Sequence, residues 1–465
     1  MPYHQAPNFD IAIRGTDAPY TVTATYKGLT AEGYFDHDAL QPDWVGTIRV
    51  LADTQTPSGE AFILNVGGLL FDALMQGSIR DLWVEARTGQ ESGQESGQHL
   101  RIRLNLHTPA VAALPWETLA DPRRRRTLAA DRALALVRTA TDVEYVGRAR
   151  PLQTQLPAKI LIAAAEETDN IDAAAEIERI RTSLAPLIPG QIELDILSGR
   201  FGIQDLRRRL QESRPDILHI ISHGQADGLY LWEDGELTLV RASQLAAALD
   251  LVDSVKLVFL NACLAGQTDA STPFAGLAQR ILQTGIPAVI AMQFVVLDRV
   301  AADFAGFLYA ALIDGPTPGA IDVAMSFARS ALYISDPDRI DYATPLLWLN
   351  APDGVILQLD DEPLPVEITA PSLVPPLPKL VLDIEEKEEW FKQLPSTIES
   401  REMRFDYPDR KKQVEADLNA LRESQKIQQD GGTLDFQETT KQLKSFNKER
   451  RLTDNLLERL HRAER

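Results

Sequence analysis

Two stretches about forty residues apart carry the residue types that can do covalent chemistry. The first, DILHIISHGQ, holds a strand ending in His223-Gly224; the second, VKLVFLNACLAGQ, holds one ending in Ala262-Cys263, the only cysteine of the chain. A free thiol has a pKa of about 8.5 and is mostly protonated at neutral pH, so it needs an adjacent base to become the thiolate nucleophile. His223 suits that task as general base, with Cys263 as nucleophile. Glycine lets backbone approach a ligand closely, so the N–H groups of Gly224 and Cys263 are candidate donors to a developing oxyanion. Taken alone, an unpaired cysteine is more often a small buried hydrophobe. It becomes a nucleophile candidate only because a histidine ends the neighbouring apolar run.

The placement of both residues follows from the elements around them. Ile217 to Ile221 and Val255 to Leu260 are short, branched and bounded by turn residues, the pattern of parallel strands covered on both faces. Ligands in such sheets sit outside the carboxyl ends of the strands, so a histidine and a cysteine directly after neighbouring strands emerge on one rim. Around them strands and helices alternate. AKILIAAA, IELDILSG and AVIAMQF read as strands. Helices are expected over Asp172 to Leu184, FGIQDLRRRLQES, Ala242 to Leu249, PFAGLAQRILQTG and Arg299 to Ile313. The fold class is therefore α/β, a mostly parallel sheet flanked by helices. LYLWEDGELTLVR reads as a hairpin turning at Asp234-Gly235. Asp227 and Glu233 in that region read as loop carboxylates, within reach of a role in orienting the imidazole. His219 lies four residues before His223, but on a strand, and it reads as a core or supporting histidine rather than a metal ligand.

From about Ala113 to Gly354 the chain resembles the CHAT family, caspase-like cysteine peptidases related in fold to caspases, metacaspases, gingipains and separase. The matching segments are LPWETLADP with LAADRALALVR, PDILHIISHG, LVFLNACLAG, GIPAVIAMQFVVLDRVAADFAGFLYAAL and ATPLLWLNAPDG. The resemblance implies His223 as general base, Cys263 as nucleophile and Gly224 as an oxyanion donor, and it sets Thr268 to Thr272 beside the substrate groove. It also shows departures. The metacaspase aspartate two positions before the nucleophile, which shapes a pocket for Arg or Lys, is Asn261 here. The acidic residue that serves separase-like relatives falls on Val295, and Asp298 is the nearest carboxylate. Asp298 and Asn261 are the candidate specificity-pocket residues. The chemistry needs no metal or organic cofactor. By analogy, a partner or a cleavage would release the activity.

Bounds on the whole chain agree with this. At 465 residues it exceeds what a single core serves, and its formal charge of −20 argues against nucleic acid as main partner. One cysteine excludes an internal disulfide framework, and neither a membrane span nor a signal-peptide core is visible, so a cytoplasmic location is expected. Residues 1–112 read as a strand-rich accessory region, packed on or continuous with the peptidase fold. In it FDIAIRG, YTVTATYKG and LRIRLNL are strands, Gly67 to Gln76 is a short helix and GQESGQESGQ is a surface loop. Arg123 to Arg126 read as a solvated run, with processing as the rival role. Residues 113–360 form the CHAT unit and 361–380 a linker, with six prolines between Pro363 and Pro378. Residues 381–465 are a charged helical tail, expected over Val414 to Ile427 and Phe436 to Leu460 with a break at Gly431-Gly432. Its intermittent stripe of Leu418, Leu421, Leu443, Leu452, Leu456 and Leu457 suits packing on the body, on a second copy or on a regulatory protein, with a passive solvated appendage as the rival reading. The sequence thus points to a caspase-like cysteine endopeptidase acting on protein substrates. The alternatives are a catalytically silent CHAT-like scaffold and a redox sensor built on the lone thiol.

Overall fold

Apolar runs without polar alternation have to be covered on both sides, and the arrangement of strands does this. The computed structural model describes residues 6–36, 44–53, 56–91, 99–139, 150, 152–165, 173–188, 190–225, 228–264 and 275–359, and in the C-terminal part 387–388, 391–392, 394, 406–429, 445–446 and 453. Residues 1–369 form one unit and 370–465 a second.

In the first unit a 13-stranded sheet is built from β1 (Asn8–Arg14), β2 (Tyr20–Tyr26), β3 (Leu29–Phe35), β4 (Leu100–Leu106), β5 (Leu134–Arg138), β6 (Ala158–Ala165), β7 (Ile192–Gly199), β8 (Ile217–Gln225), β9 (Gly228–Glu233), β10 (Glu236–Arg241), β11 (Leu257–Leu264), β12 (Ala288–Met292) and β13 (Pro345–Leu349). The order across it is β7, β6, β8, β11, β12, β13, β5, β4, β1, β2, β3, and the β9/β10 hairpin hangs on β8. From β7 to β12 all neighbours are parallel. After β6 the chain first adds β7 on one side, then β8 and β11 on the other. That reversal beside β6 is the topological switch point, the place where open α/β sheets leave a crevice at their carboxyl ends.

The longer helices of this unit are α1 (Trp44–Leu51), α2 (Glu60–Leu74), α3 (Gly77–Glu91), α4 (Ala173–Leu184), α5 (Ile203–Ser213), α6 (Ala242–Asp250), α7 (Ala275–Leu282), α8 (Asp298–Asp314) and α9 (Ile321–Ser335). Alternate residues of each central strand enter different cores. Ile160, Ile217, Ile221, Leu257 and Phe259 pack with Ile180 and Leu184 of α4 and with Phe304 and Leu308 of α8. Leu161, Leu218, Ile220, Val258 and Leu260 pack with Leu206 and Leu210 of α5, Leu245 of α6 and Leu277 of α7. Two-sided burial is why these strands show no polar alternation.

The N-terminal strands continue the same sheet, through β1 on β4, β4 on β5 and β5 on β13. Helix α2 is longer than the expected Gly67 to Gln76, and α3 adds a buried stripe of Ile79, Leu82, Trp83 and Ala86. The end of α3 takes in the start of GQESGQESGQ, whose remainder lies outside the described residues. Gly67 has a steric reason. A Cβ there would stand 1.9 Å from the Thr118 carbonyl oxygen, so α2 crosses the LPWET segment where only glycine fits. In that segment Trp116 is fully buried and donates its Nε1–H to the Val111 carbonyl at 2.7 Å. Arg123 to Arg126 lie exposed around the turn of a short hairpin, Ala120–Asp121 with Arg126–Thr127, as a solvated run should.

In the second unit α10 (Asp406–Gln429) covers the expected Val414 to Ile427. Val414, Leu418 and Leu421, at helical spacing, bury against Phe446, with Phe391 packed beside them. The proline-rich linker, Gly431-Gly432 and the remaining leucines of the stripe lie outside the described residues. Among the described residues no single helix is long and apolar enough to cross a membrane.

Candidate active site

The β8/β11 ladder pairs the two candidate residues with each other. Ile217 is register partner of Leu257, His219 of Phe259, Ile221 of Asn261 and His223 of Cys263. Neighbouring strands lie about 4.8 Å apart, so this register sets the two backbones side by side at the carboxyl ends of their strands. Cys263 has the parity of Leu257, Phe259 and Asn261; His223 has that of Ile217, His219 and Ile221. Both positions therefore lie on the side of the sheet covered by α4 and α8. His223 is half-buried. Gly224 is in register with Leu264 on one side and Leu229 of the hairpin on the other.

One step further in, the two specificity candidates converge on a residue that the sequence reading missed. Asn261, buried, donates its Nδ2–H to Glu176 Oε1 at 2.6 Å. Glu176 stands in the first turn of α4 and is 1 % exposed. Burial and the Asp298 carboxylate push its carboxyl up to about 8, against the pull of the Asn261 hydrogen bond. At neutral pH it is a carboxylic acid. Asp298 is the first residue of α8. The signal for Glu176 was present in the spacing: with Ile180 and Leu184 it falls at i, i+4 and i+8 of an otherwise apolar stripe, where an acid needs a reason.

His219 takes the supporting role expected of it. It is fully buried, stacks on Phe259 with ring centroids 4.3 Å apart, and its Nδ1 lies 3.1 Å from the Tyr309 hydroxyl. Burial drives its pKa down to about 3. Unfolding exposes an imidazole with the ordinary value of 6.5, so the unfolded chain binds a proton that the folded chain refuses. Stability is then full above about pH 7 and falls as the pH drops through 6.5, by about 2 kcal/mol at pH 5 from this residue. His219→Leu should shrink the difference between urea midpoints at pH 7.5 and pH 5; an unchanged difference would show that the buried ring is not its source.

Glu233 does not serve the imidazole. Its Oε1 accepts from the Ile203 N–H at 2.8 Å, capping the first turn of α5. Gln225, just past His223, donates its Nε2–H to the Tyr230 hydroxyl, tying β8 to its hairpin. Asp234 and Gly235 have φ of 52° and 85°, the left-handed pair that a two-residue hairpin turn requires. Val295 is exposed, and Asp227 and Thr268 to Thr272 lie outside the described residues.

The CHAT domain model matches residues 64–354. Two solved structures of the Saccharomyces cerevisiae separase-securin complex are similar. The first shares 15 % identity at a TM-score of 0.36, covering 71 % of this chain and 21 % of that one. The second shares 16 % at 0.36, covering 66 % and 20 %. This chain thus spans about a fifth of the separase chain it matches. No curated protein matches it.

Proposed function

Because the chain belongs to the CHAT domain family, we propose that it is a caspase-like cysteine endopeptidase that cuts protein substrates through Cys263 and His223. The observation that carries this reading is the register of His223 with Cys263 on adjacent parallel strands. Cys263 attacks the peptide carbonyl and the imidazole of His223 accepts the thiol proton. His223 then returns that proton to the leaving amine, and water hydrolyses the acyl-enzyme. The N–H groups of Gly224 and Cys263 receive the oxyanion. Asn261 and Asp298 border the pocket for the side chain beside the scissile bond. No cofactor enters these steps. A regulatory protein docks on the C-terminal unit, whose α10 is a highly charged helix. A reducing cytoplasm suits a chain whose only cysteine is a nucleophile.

Digestion of an unbiased peptide library, with Cys263→Ala as the blank, tests the proposal. Cuts should appear with the unmodified chain and vanish in the blank, and a thiol-reactive probe should label Cys263 rapidly and slow sharply in His223→Ala. Labelling that survives loss of His223, with no peptide cut, replaces the peptidase by a redox sensor. A chain neither labelled rapidly nor active is a scaffold.

A further inference from the structure

The strand end that carries Cys263 is held by a ladder on one side only. The β8/β11 pairing runs on to Gly224 with Leu264, but β11 leaves β12 after Leu260 with Ala291, and β8 leaves β6 after Ile221 with Ala164. His223 and Cys263 therefore stand on a tongue of β8 and β11 beyond the last pairs with β6 and β12. On the β8 side the tongue is braced by the hairpin, where Gly224 pairs with Leu229. On the β11 side no described strand continues the ladder beyond Leu260. What reaches across there is a side chain. Asn261, the first residue after the ladder ends, is bound to Glu176 of α4 at 2.6 Å. Helix α4 is itself fixed against α8, where a Cβ on Gly306 would meet the Ser183 Cβ at 2.7 Å.

We propose that Glu176 is the positioning residue of this site: through its hydrogen bond it clamps Asn261, and so holds the strand end bearing Cys263 in register with His223. The inference rests on the peptidase reading for the role of the Cys263 thiolate. The groups around Glu176 come from three elements. Asp298 and, further along, Tyr309 come from α8; Asn261 comes from β11, and His219, bonded to Tyr309, from the same face of β8. Among the described residues no basic group offsets the burial that keeps the carboxyl protonated. Once ionised, Glu176 would hold a carboxylate against Asn261, itself two residues along the strand from Cys263, about 7 Å by strand rise. A carboxylate at that range opposes formation of the thiolate.

The chain has one cysteine, so alkylation by iodoacetamide reports on this site alone. Alkylation and peptide cleavage are measured from pH 5 to 10 on the full chain, with Glu176→Gln and Glu176→Leu. Glutamine keeps an oxygen acceptor for Asn261 and cannot ionise. Above pH 8 it should alkylate about fivefold faster than the parent, the effect of removing one charge at this range, and lack the parent's alkaline loss of cleavage. Leucine leaves Asn261 unpaired and should slow both reactions about tenfold at every pH. Superimposable profiles for the parent and Glu176→Gln overturn the proposal, whether or not Glu176→Leu folds. If cleavage is seen but alkylation ignores Glu176, the clamp fails and the peptidase stands. If nothing is cut, the alkylation profile still decides the clamp.

Discussion

Replacing His223 with alanine is expected to lower peptide cleavage by about 10²- to 10⁴-fold, the range that a positioned acid-base group supplies. Two losses combine. Without the imidazole the thiol returns toward its free pKa of about 8.5, leaving a few per cent of thiolate at neutral pH. The leaving amine also loses its proton donor, and an amine expelled without a proton is a poor leaving group. The register partnership with Cys263 makes a further result specific. Residues that act as a unit are grossly non-additive, so the double substitution His223→Ala/Cys263→Ala should be no slower than Cys263→Ala alone. A half-buried residue near a strand end contributes little to the core, so the urea midpoint should move little. Cleavage that stays within about tenfold of the parent, against the 10²-fold minimum for a working base, removes His223 from the mechanism.

The rim and its two residues were legible because they depend on local patterns. A strand buried on both faces shows as an unbroken apolar run, and the residues just past its end must lie at the sheet edge; that reasoning located His223 and Cys263 and the helices between. Parity then says more than the motifs did. His219, Ile221 and His223 share a face with Phe259, Asn261 and Cys263, so the residue two before Cys263 had to point at whatever covers that face. Which residue covers it is a tertiary fact. Glu176 was read only as part of an amphipathic helix, since helical spacing does not reveal that its first turn lands on Asn261. The same limit explains Glu233, whose carboxylate caps α5 because the hairpin folds back over that helix. It also explains the N-terminal region, where nothing local in LRIRLNL announces that it will pair with LALVR and extend the central sheet.

That junction is where the second large effect is expected. β13 meets β5 through one register pair, Trp348 with Arg138, and the guanidinium of Arg138 lies 5.8 Å from the Trp348 ring centroid. Arg138 is fully buried. It donates to both carboxylate oxygens of Glu117, at 2.9 and 2.7 Å, and to the Ala112 carbonyl at 2.8 Å. Gln293, which directly follows β12, donates to the same carboxylate at 3.2 Å and to the Ala343 carbonyl at 2.6 Å. Glu117 and Arg138 thus join the LPWET segment to the strand LALVR and to the residue after β12. Arg138→Met keeps most of the volume but strands a buried carboxylate with only an amide donor, which should destabilise the first unit by about 3–5 kcal/mol in urea unfolding. A well-packed apolar pair can replace a buried ion pair almost neutrally, so Arg138→Met/Glu117→Leu should recover most of that loss. The recovery separates two explanations. If the double variant is as unstable as the single, the guanidinium's bonds to the Ala112 carbonyl and its packing on Trp348 hold the junction. If it recovers, the damage came from the unpaired charge, and the N-terminal strands stay attached by burial alone.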